Sequence, residues 1–336
     1  MNEIDFAAGS EKRFFDFISG LNEKSKIAII SHLDLDGIAA AKIANEVLNA
    51  DIIKFIDYTE LNDALVDEMT KKKVTKFVFT DICGQNFEIA KKFSKFADVL
   101  VIDHHPIIED FNSDKCVFLC AQGYCAAYMC YNLFSRVQDL SRWDWLAAAA
   151  SISDFCFERN GSWMGEIFKK YGKENINCVS HELSLALIYF GEELRKVFEM
   201  IESNYLLRRN LKKYANDVQK EMDFQKEKFY KERAIFGDVY YWKLNKSKYS
   251  IKSYIISGLS CEEKNKTFIF AREDGQYIKL SARRQDNRVD VAALLMKLVA
   301  GLDEAAAGGH FAAGGGHILA KDEKEFVRRL QGLKQS

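Results

Sequence analysis

The 336-residue chain sets 48 Lys and Arg against 49 Asp and Glu, so it has no overall basic field to pull it onto long nucleic acid. Its 48% hydrophobic and 29% charged content is that of a globular protein with a sizeable core, in two domains or one large α/β domain. Charges at Glu3, Asp5, Glu11, Lys12, Arg13 and Asp16 exclude a secretory-signal core from the start of the chain, and no run of about 18 apolar residues offers a membrane span. The expected location is therefore cytoplasmic, with no membrane partner. Eight cysteines, at 83, 116, 120, 125, 130, 156, 178 and 261, form no CxxC pair and are expected to be reduced and mostly buried.

In chain order, Lys26–Ile30 reads as a short buried strand and Gly37–Leu48 as a helix. A strand over Ile52–Ile56, an amphipathic helix over Leu61–Lys72 and a strand over Lys76–Thr80 follow. A helix over Asn86–Phe96 and a fourth strand over Val99–Ile102 complete the alternation. Repeated βα units of this length predict a parallel sheet with helices on both faces. Cys125–Gln138 and Trp143–Ser153 read as largely buried helices, and Glu192–Arg233 as a charged, connecting helical segment. Beyond it, strands are expected at Tyr254–Ile256, Thr267–Phe270 and Tyr277–Leu280, then a helix over Val289–Val299 and a glycine-rich loop from Gly308 to Gly316. The fold class is α/β: an N-terminal parallel-sheet domain (1–190), a helical connector (191–235) and a smaller C-terminal α+β domain (236–336).

Ligands of an open parallel sheet bind at the carboxyl ends of its strands. Three of the four expected strands run there into acids or histidines: Ser31-His32-Leu33-Asp34-Leu35-Asp36-Gly37, Thr80-Asp81 and Asp103-His104-His105-Pro106. Asp154 follows the apolar helix Leu146–Ile152. Alone, Asp81 would read as a turn or helix cap, and His104-His105 as an ordinary surface or core pair. Together the carboxylates would repel one another unless a cation neutralised them, and some six donors exceed what one ion takes in an open catalytic site. Mixed His and Asp donors suit Mn²⁺, with Mg²⁺ possible. Five of the six histidines fall in these motifs or in the glycine-rich stretch; His181 stands apart.

These four motifs, with Ser151-Ile-Ser-Asp154 as the last, resemble those of the DHH phosphoesterases. Leu280-Ser-Ala-Arg-Arg284 and Gly308-Gly-His-Phe-Ala-Ala-Gly-Gly315 are similar to the DHH-associated substrate-binding domain of RecJ-like and nanoRNase-like enzymes. The resemblance implies one ion on His32, Asp34 and Asp81, and a second on Asp36, Asp81, His104 and Asp154, with Asp81 as the bridge. It further implies that Asp103 orients its histidine neighbours and that His105 faces the scissile phosphate. Arg283, Gly308, Gly309 and His310 would grip a substrate phosphate.

With a net charge of −1 and no room for an added nucleic-acid module, a short substrate held between two domains fits best. The expected function is a two-metal phosphodiesterase degrading short oligonucleotides, or a small nucleotide, to mononucleotides. The alternatives are a RecJ-like exonuclease on single-stranded DNA and a non-catalytic relative that binds nucleotides or a replication partner. The sequence leaves the oligomeric state open, a homodimer through the first domain being compatible with such a fold.

Overall fold

A computed structural model describes residues 4–205, 209–244 and 247–333. Glu3 of the charged N-terminal stretch, and residues 206–208 of the expected connector, lie outside the described residues. The chain divides into two compact units, Met1–Asn216 and Asp217–Ser336.

In the first unit, α1 (Glu11–Ser19) precedes β1 (Ile27–His32), α2 (Leu35–Leu48), β2 (Ile52–Ile56), α3 (Asp63–Lys71), β3 (Lys76–Thr80), α4 (Phe87–Phe93), β4 (Asp98–Asp103) and β5 (Cys116–Cys120). The five strands pair in parallel in the order β2-β1-β3-β4-β5. Side chains alternate across this sheet, as the two-residue period requires. Ile29, Val78, Leu100 and Leu119 enter one apolar cluster, while Ile30, Phe77, Val101 and Phe118 enter another. The α3 and α4 helices cover the second face. The first is covered by α2, α5 (Ala126–Phe134) and α6 (Asp144–Ser153), backed by α7 (Gly161–Tyr171), α8 (Lys173–Phe190) and α9 (Leu194–Met200). The expected parallel sheet between two helical layers is thus present.

One expectation is corrected by the first unit. The sheet has a fifth strand, β5, whose Cys-Val-Phe-Leu-Cys run ends in no charged residue and so gives no motif to notice. The charged stretch from Glu192 to Arg233, expected to be helical, holds two helices: α9 stops at Met200, Ile201 is extended, and α10 runs from Arg209 to Glu232.

The second unit holds β6 (Ala234–Phe236), β7 (Val239–Lys243), α11 (Lys252–Glu262), β8 (Thr267–Asp274), β9 (Tyr277–Arg283), α12 (Val291–Val299), β10 (Ala306–His310), β11 (Ala313–Leu319) and α13 (Glu323–Gly332). Its mixed sheet runs β10-β11-β9-β8-β7-β6, with only β7 and β8 parallel. Tyr254–Ile256 is helical rather than a strand. Ile251, Ile255, Ile256 and Leu259 are buried at helical spacing, a pattern that the local run of β-branched residues masks. The glycine-rich stretch is likewise not a loop. It forms the hairpin of β10 and β11, in which a Cβ on Gly309 would lie 2.3 Å from the Ala313 carbonyl oxygen. Glycine there serves the close approach of two strands. None of the eight cysteines is in a disulfide, and five of them are buried.

Candidate metal centre

The three strands that end in acids or histidines are neighbours: β1, β3 and β4 occupy the middle of the sheet. The tips of β1 and β3 and the first turn of α2 are tied together through Ser31, whose hydroxyl accepts from Thr80 Oγ1 at 2.7 Å and donates to the Gly37 carbonyl at 2.7 Å. At the carboxyl end of β3 the chain turns sharply. Asp81 has a φ of +60°, a left-handed conformation that an Asp tolerates at a cost of about 1–2 kcal/mol.

Asp81 is 1% exposed, and neither of its carboxylate oxygens has a hydrogen-bond partner. Around it stand His32, with Nδ1 at 3.5 Å, and His104, with Nε2 at 3.2 Å. Donor atoms of His32, Asp34 and Asp81 lie within 4.8 Å of one another. Nδ1 of His32 is 3.0 Å from Asp34, which also caps α2 by accepting from the Gly37 N–H at 3.0 Å. On the other side, His104 Nε2 lies 3.7 Å from Asp36, 3.2 Å from Asp81 and 3.4 Å from Asp154. The first expected set thus stands as one donor group, while Asp36, Asp81 and Asp154 of the second each approach His104, which groups with Asp81 and His105 and with Asp154 and Cys156. Asp36 also anchors a helix: its two oxygens accept from the Ala126 and Ala127 N–H groups at 2.7 and 2.8 Å, fixing the first turn of α5.

The electrostatics are those of a site that calls for positive charge. Burial, then the Asp34 carboxylate, pushes Asp81 well above the carboxylate range. Burial and the Asp81 charge do the same to Asp36. Burial pulls the His32 imidazole down, but Asp34 and Asp81 outweigh it and carry it up to about 10. The buried, unpartnered oxygens of Asp81 and Asp154 and Nδ1 of His32 are the atoms that a divalent cation satisfies, so these residues fit such ions.

Asp103 is deployed differently, with all its accepting capacity engaged. Oδ1 accepts from the N–H groups of His104 (2.7 Å) and His105 (3.1 Å) and from His105 Nδ1 (2.6 Å), and Oδ2 accepts from the Gly84 N–H at 2.7 Å. Burial raises its pKa, but the His105 hydrogen bond prevails and holds it below the usual value. A Cβ on Gly84 would lie 2.7 Å from Asp103 Oδ2, so only glycine admits this bond. Nε2 of His105 lies 3.1 Å from the Tyr58 hydroxyl, completing an Asp103–His105–Tyr58 chain. Burial lowers the His105 pKa, and Asp103 more than restores it.

Sequence reasoning missed Tyr58, Gly84 and Cys156. Tyr58 follows β2, the one expected strand without a motif at its end, and its position there was the available signal. Cys156 Sγ lies 4.0 Å from His104 Nδ1 and groups with His104 and Asp154.

Arg283, Gly308, Gly309 and His310 belong to the second unit. Strand register sets Arg283 opposite Ala313 and Ala313 opposite His310, and Ser281 opposite Gly315 and Gly315 opposite Gly308. The two rows share one sheet face, with Lys279 and Arg272 in the next row. Nothing stands within 4 Å of where a Cβ on Gly308 would be. Among the described residues Arg272, Lys279, Arg283 and Lys252 form no ion pair with an acid. Burial, then the charges of Arg272, Arg283 and Lys279, brings the Lys252 ammonium down to about 8. The adjacent Arg284, by contrast, is buried and bound to Asp238, Asp286 and Thr267.

Residues 26–152 match the DHH family, N-terminal domain. The fold is similar to that of exonuclease RecJ bound to manganese (TM-score 0.69, 14% identity, 97% of this chain and 94% of that one). It is also similar to CDC45 from Entamoeba histolytica (TM-score 0.64, 9% identity, 97% and 99% covered). A pGpG-specific phosphodiesterase from Vibrio cholerae is a third likeness (TM-score 0.56, 14% identity, 92% and 99%). At these identities the likeness is one of fold. No curated protein matches the sequence.

Proposed function

We propose, on the match of residues 26–152 to the DHH family, N-terminal domain, that this chain is a two-metal phosphodiesterase hydrolysing short oligonucleotides to mononucleotides. The observation that carries this reading is Asp81: a buried carboxylate with two unbonded oxygens, set between His32 and His104 and common to two donor groups. A carboxylate so placed is stable only against positive charge, and it has the disposition of a bridge.

His32, Asp34 and Asp81 would hold one ion, and Asp36, Asp81, His104 and Asp154 the other. When bound, two divalent ions lower the pKa of water and offset charge on phosphoryl oxygens. The remaining work falls to side chains. His105, held by Asp103 and biased towards its protonated form, presents positive charge to a phosphoryl oxygen and can return a proton through Nε2, beside the Tyr58 hydroxyl. Asp103 keeps both histidines in register and does not itself reach substrate. On the second unit, Arg283, Lys279, Arg272 and Lys252 gather unneutralised positive charge beside Gly308 and His310, a surface that fits a second phosphate or a terminal one. The metal centre fits one phosphodiester, and a net charge of −1 suits short substrates better than long nucleic acid.

The fold shared with exonuclease RecJ supports the second reading, an exonuclease on single-stranded DNA. The likeness to CDC45 supports a third, binding without turnover; the two donor groups that share Asp81 favour catalysis over it. Stripping the protein with a chelator and restoring Mn²⁺ tests the centre. Dinucleotide hydrolysis returns with the metal in wild type and stays absent in Asp81→Ala. Turnover in the chelated protein, or in that variant, contradicts the reading.

A further inference from the structure

Helix α6 ends in a double-bonded cap. The Phe155 N–H donates to the Ile152 carbonyl at 3.2 Å, and the Cys156 N–H to the Ser151 carbonyl at 2.9 Å. This arrangement directs Asp154 and Cys156 to His104, at 3.4 and 4.0 Å, and holds the residue between them at a φ of +55°. That left-handed position is normally given to glycine. Here it is Phe155, and its side chain is 81% exposed, the most of any large hydrophobic among the described residues.

Two local preferences are overridden at one residue. The cap favours a residue without Cβ, and an aromatic ring favours burial. Packing gives no return for either, and a rule broken without local compensation points to a ligand. The ring stands between two chain neighbours that reach the candidate metal centre, and Phe157, a second exposed aromatic, follows two residues later. Charged groups at the centre can recognise the phosphodiester, and the imidazoles there are engaged with one another, with Tyr58 and with carboxylates.

We propose that Phe155 is the stacking platform for the nucleobase adjoining the scissile phosphate. The proposal rests on the phosphodiesterase reading and adds to it the part of the substrate that Phe155 holds. Every base has a π face, so the platform selects nucleotides over other phosphodiesters without selecting a sequence.

The test uses Phe155→Gly and Phe155→Trp in the full chain. Glycine relieves the left-handed strain, so the thermal midpoint rises by about 2–4 °C. In the same variant KM for a dinucleotide rises by roughly five- to a hundredfold, the worth of one base on one aromatic face, with kcat little changed. An abasic dinucleotide analogue is cleaved alike by wild type and Phe155→Gly, and Phe155→Trp keeps the wild-type KM. Equilibrium binding of the dinucleotide with Ca²⁺ in place of Mn²⁺ reads the same contact without turnover. A Phe155→Gly protein that binds and cleaves the dinucleotide like wild type overturns the platform and leaves the phosphodiesterase reading standing. A fall in thermal midpoint with equal losses on both substrates overturns it in favour of a structural role. Wild type that binds the dinucleotide through Phe155 yet never cleaves it upholds the platform and overturns the phosphodiesterase reading.

Discussion

His32 and Asp81 share one electrostatic problem with opposite signs. Without a cation, His32 is held protonated up to about 10, and burial keeps Asp81 reluctant to ionise. Because the folded His32 lies above the ordinary imidazole value, its charged form stabilises the metal-free protein at low pH. That contribution is complete below about pH 6.5 and is lost as pH rises through about 10. A metal needs the imidazole free of its proton, so binding must release protons. Calorimetric Mn²⁺ titrations near pH 7.5, in buffers of different ionisation enthalpy, should show net proton release. Affinity should weaken as pH falls, and Asp81→Asn should lose the heat of binding. A proton count of zero would place the ion elsewhere. The donors at this scale were legible in the sequence because each ends a short apolar run in a residue that a core would not choose. Tyr58, Gly84 and Cys156 were not, because their partners, His105, Asp103 and His104, are distant in the chain and meet them only in the fold.

At the scale of elements, the loop after β3 is held to the end of β4 by the Asp81 N–H to the Ile102 carbonyl and by the Gly84 N–H to Asp103 Oδ2. A methyl at Gly84 would meet that oxygen at 2.7 Å. Gly84→Ala should therefore push Asp103 aside, turn His105 out of register and lower kcat by roughly 10–100-fold, the usual worth of an orienting partner. Mn²⁺ binding at His32, Asp34 and Asp81 should survive; wild-type kcat in this variant would dissociate His105 from the chemistry. The central strands β1, β3 and β4 could be read because apolar runs of five or six residues ended abruptly in polar motifs. The same rule failed for β5, which has no such ending. It failed for α11 as well, where Tyr254, Ile255 and Ile256 look like a strand until the buried spacing out to Leu259 is counted. The glycine-rich stretch misled in another way. Composition pointed to a loop, whereas Gly309 is needed where β10 and β11 approach most closely.

For the whole molecule, the two units have separate cores and separate chemistry: a donor cluster on the parallel sheet and an unpaired cationic face on the mixed sheet. Among the described residues no helix is long and apolar enough to cross a membrane. Strand-helix alternation pointed to the α/β class, and the motifs pointed to the metal chemistry. The cationic face was legible only in part. Arg283 stood out beside the glycines, but Arg272, Lys279 and Lys252 join it through strand register and α11, which the sequence does not display. The length of the preferred substrate separates the oligonucleotidase from the exonuclease most directly, and it is measured by product analysis with Mn²⁺. End-labelled RNA and DNA of two, five and about twenty-five nucleotides are offered to wild type and to Asp81→Ala. Wild type alone should convert the dinucleotide and pentanucleotide to mononucleotides and leave the long strands nearly intact. Efficient stepwise loss of the long DNA, with the dinucleotide spared, would contradict this and establish the exonuclease reading in its place.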